Sequence, residues 1–131
     1  CIADLVDRRV VARPPEAGSQ ILLNQMLDKA EIDVKQLQFT TTVHSETDAA
    51  SAVLEGLADA ALGLRALAER YRLAFVPVIR ERFDLLIDRR ACFEPPLQKL
   101  IQFCGSPAFS DQAACLPGYE VQGFGTVHFN G

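Results

Sequence analysis

One joint constrains this chain more than any other: over residues 8–27 a strand runs through a tight turn into a helix. Arg8-Arg9-Val10-Val11-Ala12-Arg13 has a β-branched centre and is ended by Pro14-Pro15, as befits a short strand. Glu16-Ala17-Gly18-Ser19-Gln20 then turns, with Gly18 free of a Cβ clash and Ser19 a natural N-cap. Leu22, Leu23, Met26 and Leu27 form an apolar stripe, which predicts a helix from about Ser19 to Ala30. The free N–H groups of such a helix start, with the macrodipole, suit an anion. The turn is therefore expected to touch a small oxyanion or carboxylate, although Gly18 and Ser19 would look the same if they only started a helix.

The same grammar repeats downstream. Gln36 to Val43 reads as a second strand, rich in threonine. His44-Ser45-Glu46-Thr47-Asp48 opens a second helix, with Ser45 three residues before Asp48 and two acidic groups where a helix start favours them. That helix stops at Gly56. Ala58 to Leu64 is a third strand of small apolar residues, fit to be covered on both faces. A short helix spans Arg65 to Arg72, and Leu73–Ile79 and Arg82–Asp88 read as fourth and fifth strands. Pro77 marks the fourth as an edge or a strand end. Two helices close the chain, one over about Leu97–Cys104 and one opened by Ser106-Pro107 and running to about Cys115.

Strands alternating with helices predict an α/β three-layer sandwich around a mainly parallel five-stranded sheet. Ligands of such sheets bind beyond the carboxyl ends of strands, where helix starts converge. The turns at Gly18-Ser19-Gln20 and His44-Ser45-Glu46-Thr47 could therefore face one cleft.

Composition trims the function classes. The chain has 131 residues, enough for one domain with a core, and a formal net charge of −4. A broad nucleic-acid surface needs a basic excess, so no direct nucleic-acid contact is expected. No apolar run is long enough to span a membrane. Cys1, Cys92, Cys104 and Cys115 form no CxxC pair and have no histidine at ligand spacing, so no metal site or cofactor is expected. Cys92, Cys104 and Cys115 lie in apolar surroundings and read as buried thiols, which favours the cytoplasm. The chain opens on Cys1 with no polar tether after it, which reads as a cut from a longer protein. No nucleophile–base pair and no phosphate loop is visible, so catalysis is not expected.

The order of pieces resembles the type II periplasmic-binding-protein superfamily, and within it the molybdate-binding-protein-like domain. The matching stretches are Arg13 to Ser19, His44 ahead of an Ala/Val-rich helix, and Gly56-Leu57-Ala58-Asp59-Ala60-Ala61-Leu62-Gly63-Leu64. Phe75-Val76-Pro77, Arg82-Phe83-Asp84-Leu85, Ser106-Pro107-Ala108-Phe109 and Pro117-Gly118-Tyr119 follow in the family's order. The likeness covers residues about 4 to 121. It departs where the family has Gly-Thr-Arg after the Gly-Ser pair and this chain has Gln20-Ile21, which removes a hydroxyl and a cation.

The resemblance implies a ligand-binding domain over residues 1–121, with about 5–80 the second lobe, 81–121 a return segment with the C-terminal helices, and 122–131 a flexible tail. Its ligand contacts would be Arg13, Gly18, Ser19, Gln20, His44, Ser45 and Thr47. Arg13 has a plainer alternative as a partner of Glu16 or of solvent, and His44 as a capping or surface residue beside Ser45. The implied function is a non-catalytic sensor of a small oxyanion, molybdate among the candidates, as the effector domain of a transcription regulator. An accessory domain of a molybdopterin-biosynthesis fusion and the solute-binding part of an ABC transporter are the alternatives. The implied partners are the ligand, a first lobe or other domain of a parent chain, and a second copy in a homodimer.

Overall fold

The computed structural model describes residues 1–126. They fall into two compact units, one over Cys1–Val76 and one beginning at Pro77.

The first unit is built on β1 (Arg9–Val10), which pairs in parallel with β2 (Gln38–Phe39), Arg9 opposite Gln38 and Val10 opposite Phe39. On its other side β1 bridges Ala60, also in parallel. Val11 N–H donates to the Ala60 carbonyl at 2.9 Å, and Asp59 N–H to the Arg9 carbonyl at 2.8 Å. The spatial order is thus β2, β1, then the segment at Ala60. Helix α1 (Gly18–Lys29) links β1 to β2, and α2 (Glu46–Leu54) carries the chain from β2 to the far side of β1. The strand order therefore reverses at β1, the topological arrangement whose crevice holds ligands in open α/β sheets.

Adjacent valines on β1 sort the two faces. Val10 is 1% exposed and packs with Leu23 and Leu27 of α1 and with Leu37. Val11 is 3% exposed and packs with Ala49 of α2 and Ala58. Successive strand residues point to opposite faces, so α1 and α2 cover opposite sides of the sheet. One layer is filled by leucines. The other uses alanines, which let α2 sit close.

Both helices close by the same device. After α2, Gly56 adopts φ +72°, its N–H reaches the Val53 carbonyl at 3.1 Å and the next N–H reaches Ala52 at 2.9 Å. After α1 a glutamate occupies that left-handed place: Glu31 has φ +57°, with Ile32 N–H on the Leu27 carbonyl at 3.0 Å. Helix α3 (Arg65–Arg70) ends likewise through Arg72 at φ +55°.

At the opposite end of β1 from α1, Arg9 fixes the third segment. Its Nη2 donates to Asp59 Oδ1 at 2.6 Å, its Nη1 to the Gly56 carbonyl at 2.9 Å, and its backbone N–H to Asp59 Oδ2 at 2.9 Å. These bonds hold the Asp59 carboxyl down at about 2, the side-chain bond to Arg9 contributing most.

Several expectations are corrected. The described residues form a two-stranded sheet plus a bridge at Ala60, not five strands. The expected fourth and fifth strands, 73–79 and 82–88, carry no regular structure. A strand needs a neighbour for its N–H and C=O groups. Among the described residues none pairs with this segment in a ladder, and Val76, Phe83 and Leu86 are 69%, 81% and 99% exposed. Cys104 is buried, but Cys92 is only partly so and Cys115 is exposed.

The second unit holds α4 (Pro95–Cys104) and α5 (Pro107–Ala114). Pro107 stands at the first position of α5, and Ser106 Oγ accepts from Phe109 N–H at 3.3 Å, as the Ser-Pro pair predicts. Phe103 packs edge-on against Phe109 at 5.8 Å, and Phe124 lies 5.6 Å from Phe109. Phe124 thus has a partner inside the stretch expected to be a flexible tail. The last five residues of that stretch, 127–131, lie outside the described residues. Among the described residues no helix is long and apolar enough to cross a membrane.

Candidate functional site

Arg13 stands just beyond the carboxyl end of β1 and is the hub of the site. Its backbone N–H donates to Gln20 Oε1, in the first turn of α1, at 2.9 Å. Its Nη2 donates to the His44 carbonyl, just ahead of α2, at 3.3 Å. Its Nη1 lies 3.1 Å from Oε1 of Glu46, the first residue of α2. One arginine therefore ties together the starts of both helices. The plainer alternative for Arg13 was Glu16 or solvent; Glu16 is exposed, and the guanidinium lies against Glu46.

The pair is well covered. The Arg13 side chain is 11% exposed and that of Glu46 33%. Burial without satisfaction is costly, so the remaining valences matter. Arg13 Nε and Nη1, Glu46 Oε2 and Ser19 Oγ are all closed off from solvent with no hydrogen-bond partner among the described residues. Nη1 is near Glu46 but not aligned for a hydrogen bond. A Cβ placed on Gly63 would stand 3.6 Å from Glu46 Oε2, so the segment after Ala60 also borders the pair.

The expected contacts fare differently. Ser19 is not the N-cap of α1. Ala17 holds that place with extended backbone, the helix begins at Gly18, and Ser19 falls at its second position. Its hydroxyl is consequently released from capping. Gly18 does not need glycine for the turn, since a Cβ there would meet nothing within 4 Å. Gln20 is occupied at both ends: beyond its bond to Arg13, Nε2 donates to Asn24 Oδ1 at 3.1 Å. It positions Arg13. Ser45 is the N-cap of α2, its Oγ accepting from Asp48 N–H at 3.0 Å. His44 and Thr47 are exposed beside it. Arg13, Gln20 and the His44 carbonyl are thus brought together, Ser19 Oγ is closed off in the first turn of α1, and Gly18, His44 and Thr47 are exposed.

Sequence reasoning missed Glu46 as a site residue. Its place at a helix start explained it fully, and its contact with Arg13 is made across α1 and β2, which no local pattern reveals. Beside the site a shallow hollow of about 250 Å³ is lined by Ala12, Arg13, Pro15, Gln20, Asn24, Val34 and Phe39. Glu46 is not in that lining, so the hollow opens on the α1 side.

An open α/β unit whose strand order reverses under two helix starts is the architecture of a ligand-binding lobe. The chain belongs to the periplasmic-binding-protein-like family, matching the PBP superfamily domain over residues 1–105. It is similar to the uncharacterized protein YvgK of Bacillus subtilis (strain 168), with 26% identity over 122 residues. That match takes in 92% of this chain but 39% of YvgK, so the chain spans about two fifths of that relative's length. No solved structure matches the chain.

Proposed function

We propose that this domain is a non-catalytic binder of a small oxyanion, held where the starts of α1 and α2 meet Arg13. The observation that carries the reading is the convergence itself: Arg13 touches both helix starts, its backbone N–H on Gln20 of α1 and its guanidinium on the His44 carbonyl and Glu46 at the start of α2. Each helix start supplies free N–H groups and a partial positive charge, and the arginine supplies a full one. Molybdate is the candidate drawn from the resemblance, with tungstate and sulfate as the chemically matched comparisons.

On the same reading, residues 73–88 become the fourth and fifth strands when a first lobe of the parent protein lies beside them. Their exposed apolar side chains, and the lack of a ladder partner among the described residues, support this. Ligand bridging the two lobes would stabilise a closed arrangement, and a cytoplasmic transcription regulator could read that shift.

The test is the melting temperature of the full-length protein with increasing molybdate, tungstate or sulfate. A bound anion stabilises the folded state in proportion to the logarithm of its concentration above Kd. Saturable stabilisation by one of the three at low ionic strength, lost in Arg13→Met, is the expected result. Equal response of wild type and variant to all three would mean a general salt effect and defeat the reading.

A further inference from the structure

We infer that Glu46 is an internal competitor for Arg13, and so a specificity-determining residue that admits doubly charged oxyanions over simple monocarboxylates. The inference rests on the anion-binding reading above. Glu46 Oε1 sits 3.1 Å from Arg13 Nη1, in the position an incoming anion would take. Arg13 Nη1 is closed off from solvent in this arrangement with Glu46 Oε1 beside it, so an anion that takes Nη1 must displace the carboxylate.

That requirement discriminates. A monocarboxylate offers Arg13 the same group that Glu46 already offers. Glu46 is tethered, and a tethered group acts at an effective concentration in the millimolar range or above. The free monocarboxylate also loses its translational and rotational freedom on binding. It therefore gains nothing by the exchange. A tetrahedral dianion brings twice the charge and four oxygens. Besides Arg13 it can engage the N–H groups that open α1 and α2.

Displacement is also feasible. Glu46 is a third exposed and stands at the first position of α2. Swung towards solvent, it stays near a helix start, where negative charge is favoured.

The experiment is calorimetric titration of sodium sulfate and sodium acetate into the full-length protein as wild type, Glu46→Gln and Glu46→Asp. Wild type should bind sulfate and give no acetate heat up to roughly tens of millimolar. Glu46→Gln should gain acetate binding and tighten sulfate about 5- to 10-fold, the scale of one partly exposed charge-assisted contact. Glu46→Asp, with its carboxylate drawn back, should move the same way by less. Equal affinity of wild type for both anions, or an unchanged sulfate-to-acetate ratio in both variants, would overturn the role of Glu46 and leave the anion site standing. Sulfate binding weakened in Glu46→Gln would make Glu46 a ligand contact, and would equally overturn it. No heat from either anion with all three proteins folded by circular dichroism would remove the anion site, and this inference with it.

Discussion

The Arg13–Glu46 pair is open to a quantitative test that needs no ligand. Replacing Arg13 by Met keeps an apolar stem while deleting the charge, and Glu46→Gln removes the opposing charge with little change of shape. Arg13 is nine-tenths covered and loses both its contact with Glu46 and its bond to the His44 carbonyl at 3.3 Å. A hydrogen bond involving a charged group contributes about 1.5–3 kcal/mol when buried. Glu46 is a third exposed, and Nη1 is not aligned on Oε1, so the value must be discounted for solvent screening. Arg13→Met should thus lower unfolding stability by about 1–2 kcal/mol, and Glu46→Gln by less. Urea denaturation of the two single variants and the double variant gives the coupling between them, expected at about 1 kcal/mol. A coupling below about 0.3 kcal/mol, within the ordinary additivity error, would refute the claim that these groups act as a pair.

Two further outcomes follow from the packing. Leu27 is 1% exposed in the leucine layer, and Leu27→Ala should cost about 2–5 kcal/mol, visible as a lower urea midpoint at unchanged slope. Arg9 holds Asp59 at about 2, against an ordinary value of 3.8. The folded-state value is depressed, so this contribution is complete above about pH 4 and is lost as the pH falls towards 2. Asp59→Asn should flatten that part of the stability–pH curve, measured by denaturation at low salt.

What could be read from the chain divides by range. Helix signals were local and held: Ser45, Gly56 and Ser106-Pro107 each stand where their backbone chemistry predicts. The exception, Ser19, missed its place because Ala17 in extended backbone starts the helix two residues earlier than a hydroxyl cap would. The alternation of strands and helices pointed to parallel pairing, and β1 with β2 is parallel. The number of strands was not legible, since Leu73–Ile79 and Arg82–Asp88 have strand-like composition whether or not a neighbour exists to pair with them. Arg13 could be named as a candidate from its position after a strand. Its partner could not, because Glu46 reaches it only through the fold, across a crossover that passes through α1 and β2. The same holds for Arg9 and Asp59, which meet across the sheet.

The central claim is that the starts of α1 and α2, joined by Arg13, make one anion site. Residue-resolved amide NMR of the full-length protein during a molybdate or sulfate titration tests it most directly. The account predicts saturable shifts at the amides of Ser19, Gln20, Glu46 and Thr47, moving together with one dissociation constant and absent in Arg13→Met. Shifts confined to one helix start, shifts elsewhere, or an unchanged spectrum of the folded protein would contradict it.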